Sequence, residues 1–216
     1  MVVTNAMLSV VEITISFVLG FLIYYIVSDQ SRQQNKILIG KIISDLINFV
    51  LFIWLSKVIL NLSLFVREPL TVLAYPGNAD TFYLAFFFSA ALFLYQSKIK
   101  KTDQSDYLIA FSMVFLITSL VYELIQLLWN NNAQSFGYIL LLSTMLILFL
   151  IFENRLKIKF LIITLITMWS AGMLLLSRIY PVVTVFDYTI RPWFAVIFFI
   201  VSSIIIFFTV GKGDKK

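Results

Sequence analysis

"SFGYILLLSTMLILFLIFENRLKIKFLIITLITMWSAGMLLLSR", residues 135–178, is two apolar runs held apart by a short basic connection. Outside that connection the stretch carries one charged residue, Arg178, at its very end. Each run is about 20 residues long, which at 1.5 Å rise per residue matches a hydrocarbon core of about 30 Å. A helix of this length with no polar face has lipid, not water, as its solvent. Arg155, Lys157 and Lys159 mark the connection as cytoplasmic. The stretch therefore reads as a helical hairpin that crosses a bilayer twice.

The same pattern recurs on both sides of it. Apolar residues make up 61% of the chain and charged residues 12%, with 22 Phe among 216 residues. A soluble domain of this size cannot bury that much apolar side chain. The expected architecture is an all-α integral membrane protein of one domain with seven transmembrane helices. The spans are read at about 7–28, 42–61, 81–97, 106–129, 135–152, 157–177 and 192–210. The first lacks a basic leader and a small-residue cleavage site, so it is expected to be a retained helix and not a signal peptide. There is no Cys and no His. That excludes disulfides, thiol chemistry and His-based acid–base catalysis. With no phosphate loop, metal-ligand cluster or Ser-centred nucleophile motif, no cofactor and no metal are expected.

The net charge of +5 is informative through its distribution, not as a nucleic-acid signal. With the N-terminus outside, the inner side receives Arg32, Lys36, Lys41, Lys98, Lys100, Lys101, Arg155, Lys157, Lys159, Lys212, Lys215 and Lys216. The outer side holds Arg67, Arg178 and Arg191, and Lys57 lies inside a span. This asymmetry predicts an outer N-terminus and a cytoplasmic C-terminus, and its alternation supports seven crossings. The expected location is a bacterial plasma (inner) membrane.

Glu12, Asp45, Lys57 and Glu123 are the ionisable residues within spans. Each costs roughly 2.5–3.5 kcal/mol at mid-membrane, so such groups turn toward a bundle interior or a cavity. Depth places Glu12, Lys57 and Glu123 in the outer third, with Asp45 near the inner end of its span. Glu12 and Lys57 are expected to form a structural intramembrane pair. Arg67, Arg178 and Arg191 join them at the outer face, where a guanidinium suits a phosphate through its planar fork. Between the second and third spans, "LFVREPLTVLAY" (64–75) is apolar, and Pro69 bars a long regular helix. It is expected to lie in the interface plane. The Pro76-Gly77 turn then leads to Asn78 and Asp80, which can cap the third span, and delivers Tyr83 at its outer mouth.

Several strings resemble the bacterial prolipoprotein diacylglyceryl transferases. "VEITISFVLGFLIYYIVSDQ" (11–30) and "DLINFVLFIWLSKVILN" (45–61) are similar to that family's first two helices. "REPLTVLAYPGNADTFYLA" (67–85) resembles its Pro-Leu, Gly-rich-turn and Phe-His-Gly-Gly stretch, and "LLLSRIYPVV" (174–183) its sixth helix. The resemblance implies a seven-helix fold that takes phosphatidylglycerol from the outer leaflet. It also implies head-group binding by Arg178 and Lys57, to which Arg67 and Arg191 are added from their depth. Tyr83 stands where the family has His, and Glu123 near where it has an Arg. The His-based transfer chemistry is therefore not expected. Tyr83 and Glu123 remain the candidate catalytic residues, and a phospholipid-dependent acyl- or glyceryl-type transferase is the enzyme class if the chain is an enzyme. The implied partners are membrane phospholipid and, in the alternative reading of a non-catalytic subunit, other membrane proteins. A small-solute transporter is a further alternative.

Overall fold

The computed structural model describes residues 2–74, 77–100 and 104–210, with side chains described for 8–74, 77–98 and 104–207. Tyr75 and Pro76 of the expected turn, Lys101, and the C-terminal Lys212, Lys215 and Lys216 lie outside the described residues. Among the described residues, nine helices and one small hairpin follow in order. They are α1 (Val2–Val27), α2 (Arg32–Leu60), α3 (Leu62–Arg67), α4 (Pro69–Ala74), α5 (Ala79–Lys100), α6 (Ser105–Trp129), α7 (Ser135–Phe152), α8 (Ile158–Ile179), β1 (Thr184–Val185), β2 (Tyr188–Thr189) and α9 (Pro192–Val210). Five of them, α1, α2, α6, α7 and α8, are long and apolar enough to cross a membrane. In α9 the described apolar segment, Pro192–Phe207, is shorter. The protein is thus an all-α chain with several membrane-crossing helices.

The helices group into two compact units, Met1–Asp29 with Ser105–Lys216, and Gln30–Gln104. In the first unit α6 packs against α1, α7 and α8, and α8 packs against α9. Small residues allow the closest approaches, as in lipid-embedded bundles, where lipid removes the hydrophobic drive between helices. A Cβ at Gly20 of α1 would collide with Thr118 Oγ1 of α6 and lie 3.3 Å from the Thr118 Cα. Gly137 of α7 faces Leu176 and Tyr180, and Gly172 of α8 faces Leu141 of α7. Hydroxyls within these helices return their protons to carbonyls one turn back, as Ser16 does to Glu12 O at 2.8 Å and Ser202 to Phe198 O at 2.6 Å.

The second unit is the pair α2 and α5, with α3 and α4 packed at the end of α2. Ser31 caps α2, its side chain accepting from Gln34 N at 3.2 Å. The helix therefore begins at Arg32, well before the apolar span read from residue 42, and its 29 residues are about 43 Å long. Asn61 ends it, with the backbone N–H and Nδ2 both donating to Lys57 O. The apolar 62–74 segment is indeed broken at Pro69, which opens α4 at the first helical position, where its missing N–H costs nothing. Asn78 caps α5, its Oδ1 accepting from Thr81 N at 2.9 Å and Thr81 Oγ1 at 2.8 Å. Phe49 and Phe82 meet edge to face across α2 and α5 at 5.7 Å.

Candidate functional site

In the second unit, Lys57 lies one turn from the end of α2 and is 9% exposed. The break at Glu68 lets α4 fold back toward α2, so the last carbonyls of α4 come within reach of the side chain. Lys57 Nζ donates to Leu73 O at 3.3 Å. A cation at the carbonyl end of a helix is favourable for the helix dipole as well as for the hydrogen bond. Around this ammonium is a cavity of about 250 Å³, lined by Lys57, Asn61, Leu64, Thr71, Val72, Asn78 and Thr81. Its rim chemistry is one cation with amides and hydroxyls. Arg67, in the last turn of α3, is exposed. Tyr83 is buried at 4% exposure and does not line the cavity, although it stands two residues from Thr81. Tyr83 thus lies in the packed interior of its unit.

The first unit carries the acidic residues. Glu12 of α1 is 6% exposed, and its carboxylate accepts from Gln126 Nε2 at 2.9 Å and Asn130 Nδ2 at 3.1 Å. Asn130 also donates to Gln126 Oε1 at 2.8 Å, closing a three-residue network at the end of α6. Two neutral amides therefore compensate the charge, with one carboxylate oxygen served by each. Glu12 and Lys57 sit in different units, and each has partners within its own. Neither Gln126 nor Asn130 was expected as a partner of Glu12. Their spacing of four residues on the α6 face is the only local signal.

Glu123, one turn before Gln126, is also 6% exposed. Its neighbour of hydrogen-bonding type is the fully buried Ser135 at the start of α7. Tyr122 stands within electrostatic reach of Glu12, Glu123 and Asp187. The β1–β2 hairpin covers this end of the unit. Thr184 pairs with Thr189 and Val185 with Tyr188, leaving Phe186 and Asp187 as a two-residue turn. Both turn residues have positive φ, 47° and 70°, as a type I′ hairpin turn requires. Phe186 holds this conformation because its ring is fixed from several sides. It contacts Phe17 at 5.6 Å, Phe115 at 5.8 Å and Tyr122 at 5.2 Å. Thr184 N donates to Tyr138 Oη at 3.0 Å, and Ser9 Oγ donates to Asp187 Oδ2 at 2.9 Å. Burial, and then the adjacent Asp187 carboxylate, push the Tyr188 hydroxyl above its ordinary value, so it stays neutral. Arg178, in the last turn of α8, and Arg191, just before α9, are both exposed.

Of the expected site residues, Glu12 and Glu123 stand within electrostatic reach of Tyr122, joined there by Asp187, which was not expected, and Lys57 lines a polar cavity in the other unit. Among the described residues no group of three or more His, Cys, Asp or Glu side chains could hold a metal ion. No protein-family model, curated protein or solved structure matches the chain.

Proposed function

We propose that the chain is a seven-span membrane protein with its N-terminus outside, and that the Lys57 cavity holds the head group of an anionic phospholipid such as phosphatidylglycerol. The observation that carries this reading is the cavity of about 250 Å³ with Lys57 in its wall. That volume falls just below the roughly 300–1,000 Å³ of ordinary small-molecule sites. A glycerophosphate head group fits such a space while the acyl chains stay in the bilayer. The lining suits it: an ammonium for the phosphate, and amides and hydroxyls for the glycerol oxygens. Arg67 in the same unit offers a second cation at the surface, and the exposed Arg178 and Arg191 meet lipid phosphates at their own helix ends. The resemblance to the diacylglyceryl transferases supports the same lipid class. It does not support their transfer step, because a buried Tyr83 replaces the His that would act as base. The chain is therefore read as a lipid-binding relative without that chemistry.

The test is native mass spectrometry of the purified protein exchanged into mixed phosphatidylglycerol and phosphatidylcholine. Phosphatidylglycerol is expected to be retained preferentially. Lys57→Ala should weaken that preference about tenfold, in keeping with about 1.5–3 kcal/mol for a hydrogen bond to a charged group. Equal retention of both lipids by the wild type would reject the assignment.

A further inference from the structure

We propose that the small, partly open space beside the β1–β2 hairpin is a binding site for one small monovalent cation, with Glu123 as its charged ligand. Protein atoms leave about 30 Å³ there, in a wall that includes Glu123, Ser119, Tyr122, Tyr138 and Thr184. A water-sized occupant needs about 10–15 Å³ on this measure, so the space takes one ion with at most one water. An ionised carboxylate offers about four lone-pair positions, and the buried hydroxyl of the neighbouring Ser135 makes no hydrogen bond among the described residues. Glu12, by contrast, is served on both oxygens by amides. A buried charge left in that condition costs several kcal/mol unless a counter-charge reaches it. The lining residues include no Lys or Arg.

The surroundings select the kind of counter-charge. Apart from the Trp169 indole N–H and the Met173 thioether, the polar side-chain groups in the wall are oxygens, the ligand type of a hard cation. There is one carboxylate in the wall and not three, and no acidic cluster among the described residues is of metal-holding type, which favours a single positive charge over a divalent ion. Glu12 and Asp187, both within reach of Tyr122, add negative potential from α1 and the hairpin. Phe186, whose ring is packed against Phe17, Phe115 and Tyr122, forms the hairpin's part of the wall.

The experiment measures thermal unfolding of the full chain in detergent at fixed pH and ionic strength, with choline chloride replaced stepwise by lithium, sodium or potassium chloride. One of these ions should raise the midpoint by several degrees, through preferential binding to the folded state. Glu123→Gln should abolish the rise. Ser119→Ala, which keeps the carboxylate, should move the half-saturating concentration up about tenfold and supplies the answer if Glu123→Gln does not fold. A midpoint that is the same in choline as in all three ions overturns the proposal. So does a rise that survives in Glu123→Gln, or one that calcium at equal ionic strength reproduces.

Discussion

At the residue scale the clearest electrostatic imbalance outside the spans is at Glu153, the residue that ends α7. Burial, and then the carboxylate of Asp29, hold its pKa above the ordinary carboxylate value. The folded state therefore binds the Glu153 proton more tightly than the unfolded chain does. Folding is favoured below the ordinary carboxylate value, and this contribution is lost as pH rises through the raised folded value. Glu153→Gln should accordingly raise the unfolding midpoint at neutral pH and flatten its decline between the ordinary carboxylate range and neutrality. A midpoint-versus-pH series on wild type and variant checks this, and Asp29→Asn should give a smaller change of the same sign. An unchanged slope in Glu153→Gln would remove the assignment. Glu12 shows the opposite solution to a buried carboxylate, two amides supplied by neighbouring turns of α6. In this bundle an acidic residue is tolerated where neutral donors reach it.

At the scale of elements, helix contacts and not helix propensities decide packing. Gly20→Leu would drive a side chain into Thr118, including a backbone atom that cannot swing aside. The expected loss is about 1–3 kcal/mol from overpacking, read as a lower unfolding midpoint in detergent. Gly40→Ala is the contrasting case. Nothing lies within 4 Å of a Cβ built there, so the gain in helix propensity, up to about 1 kcal/mol, should leave stability unchanged or improved. Equal damage from both substitutions would mean that the α1–α6 contact is not what Gly20 serves. The long helices were legible because lipid demands an uninterrupted apolar run, and α7 and α9 occupy the expected 135–152 and 192–210. The start of α2 was not, since Arg32, Lys36 and Lys41 read as connection while the backbone stays helical through them. The β1–β2 hairpin was missed because its turn is Phe186-Asp187, without the Asn or Gly that usually supplies positive φ. Only the β-branched and aromatic alternation of "VVTVFDYT" (182–189) carried a signal for it. The Glu12 network was invisible for a simpler reason: its partners lie more than a hundred residues away.

At the scale of the whole molecule the open question is which ends of the helices face the cytoplasm. Basic residues in and beside short connections are held back from translocation, and the stretches 29–41, 98–105 and 153–159, each a connection with its adjoining helix ends, carry them while the intervening connections are nearly devoid. Arg67, Arg178 and Arg191 sit at or beside helix ends, one to each. Single cysteines are unambiguous reporters, because the chain has none of its own. Asn78→Cys should label with an impermeant maleimide in intact cells, and Lys100→Cys only after the membrane is opened. A third variant, Asp187→Cys, tests the hairpin independently of the second unit and should label like Asn78→Cys. If Lys100→Cys labels in intact cells while the other two do not, the orientation is inverted. The Lys57 cavity would then draw its lipid from the cytoplasmic leaflet.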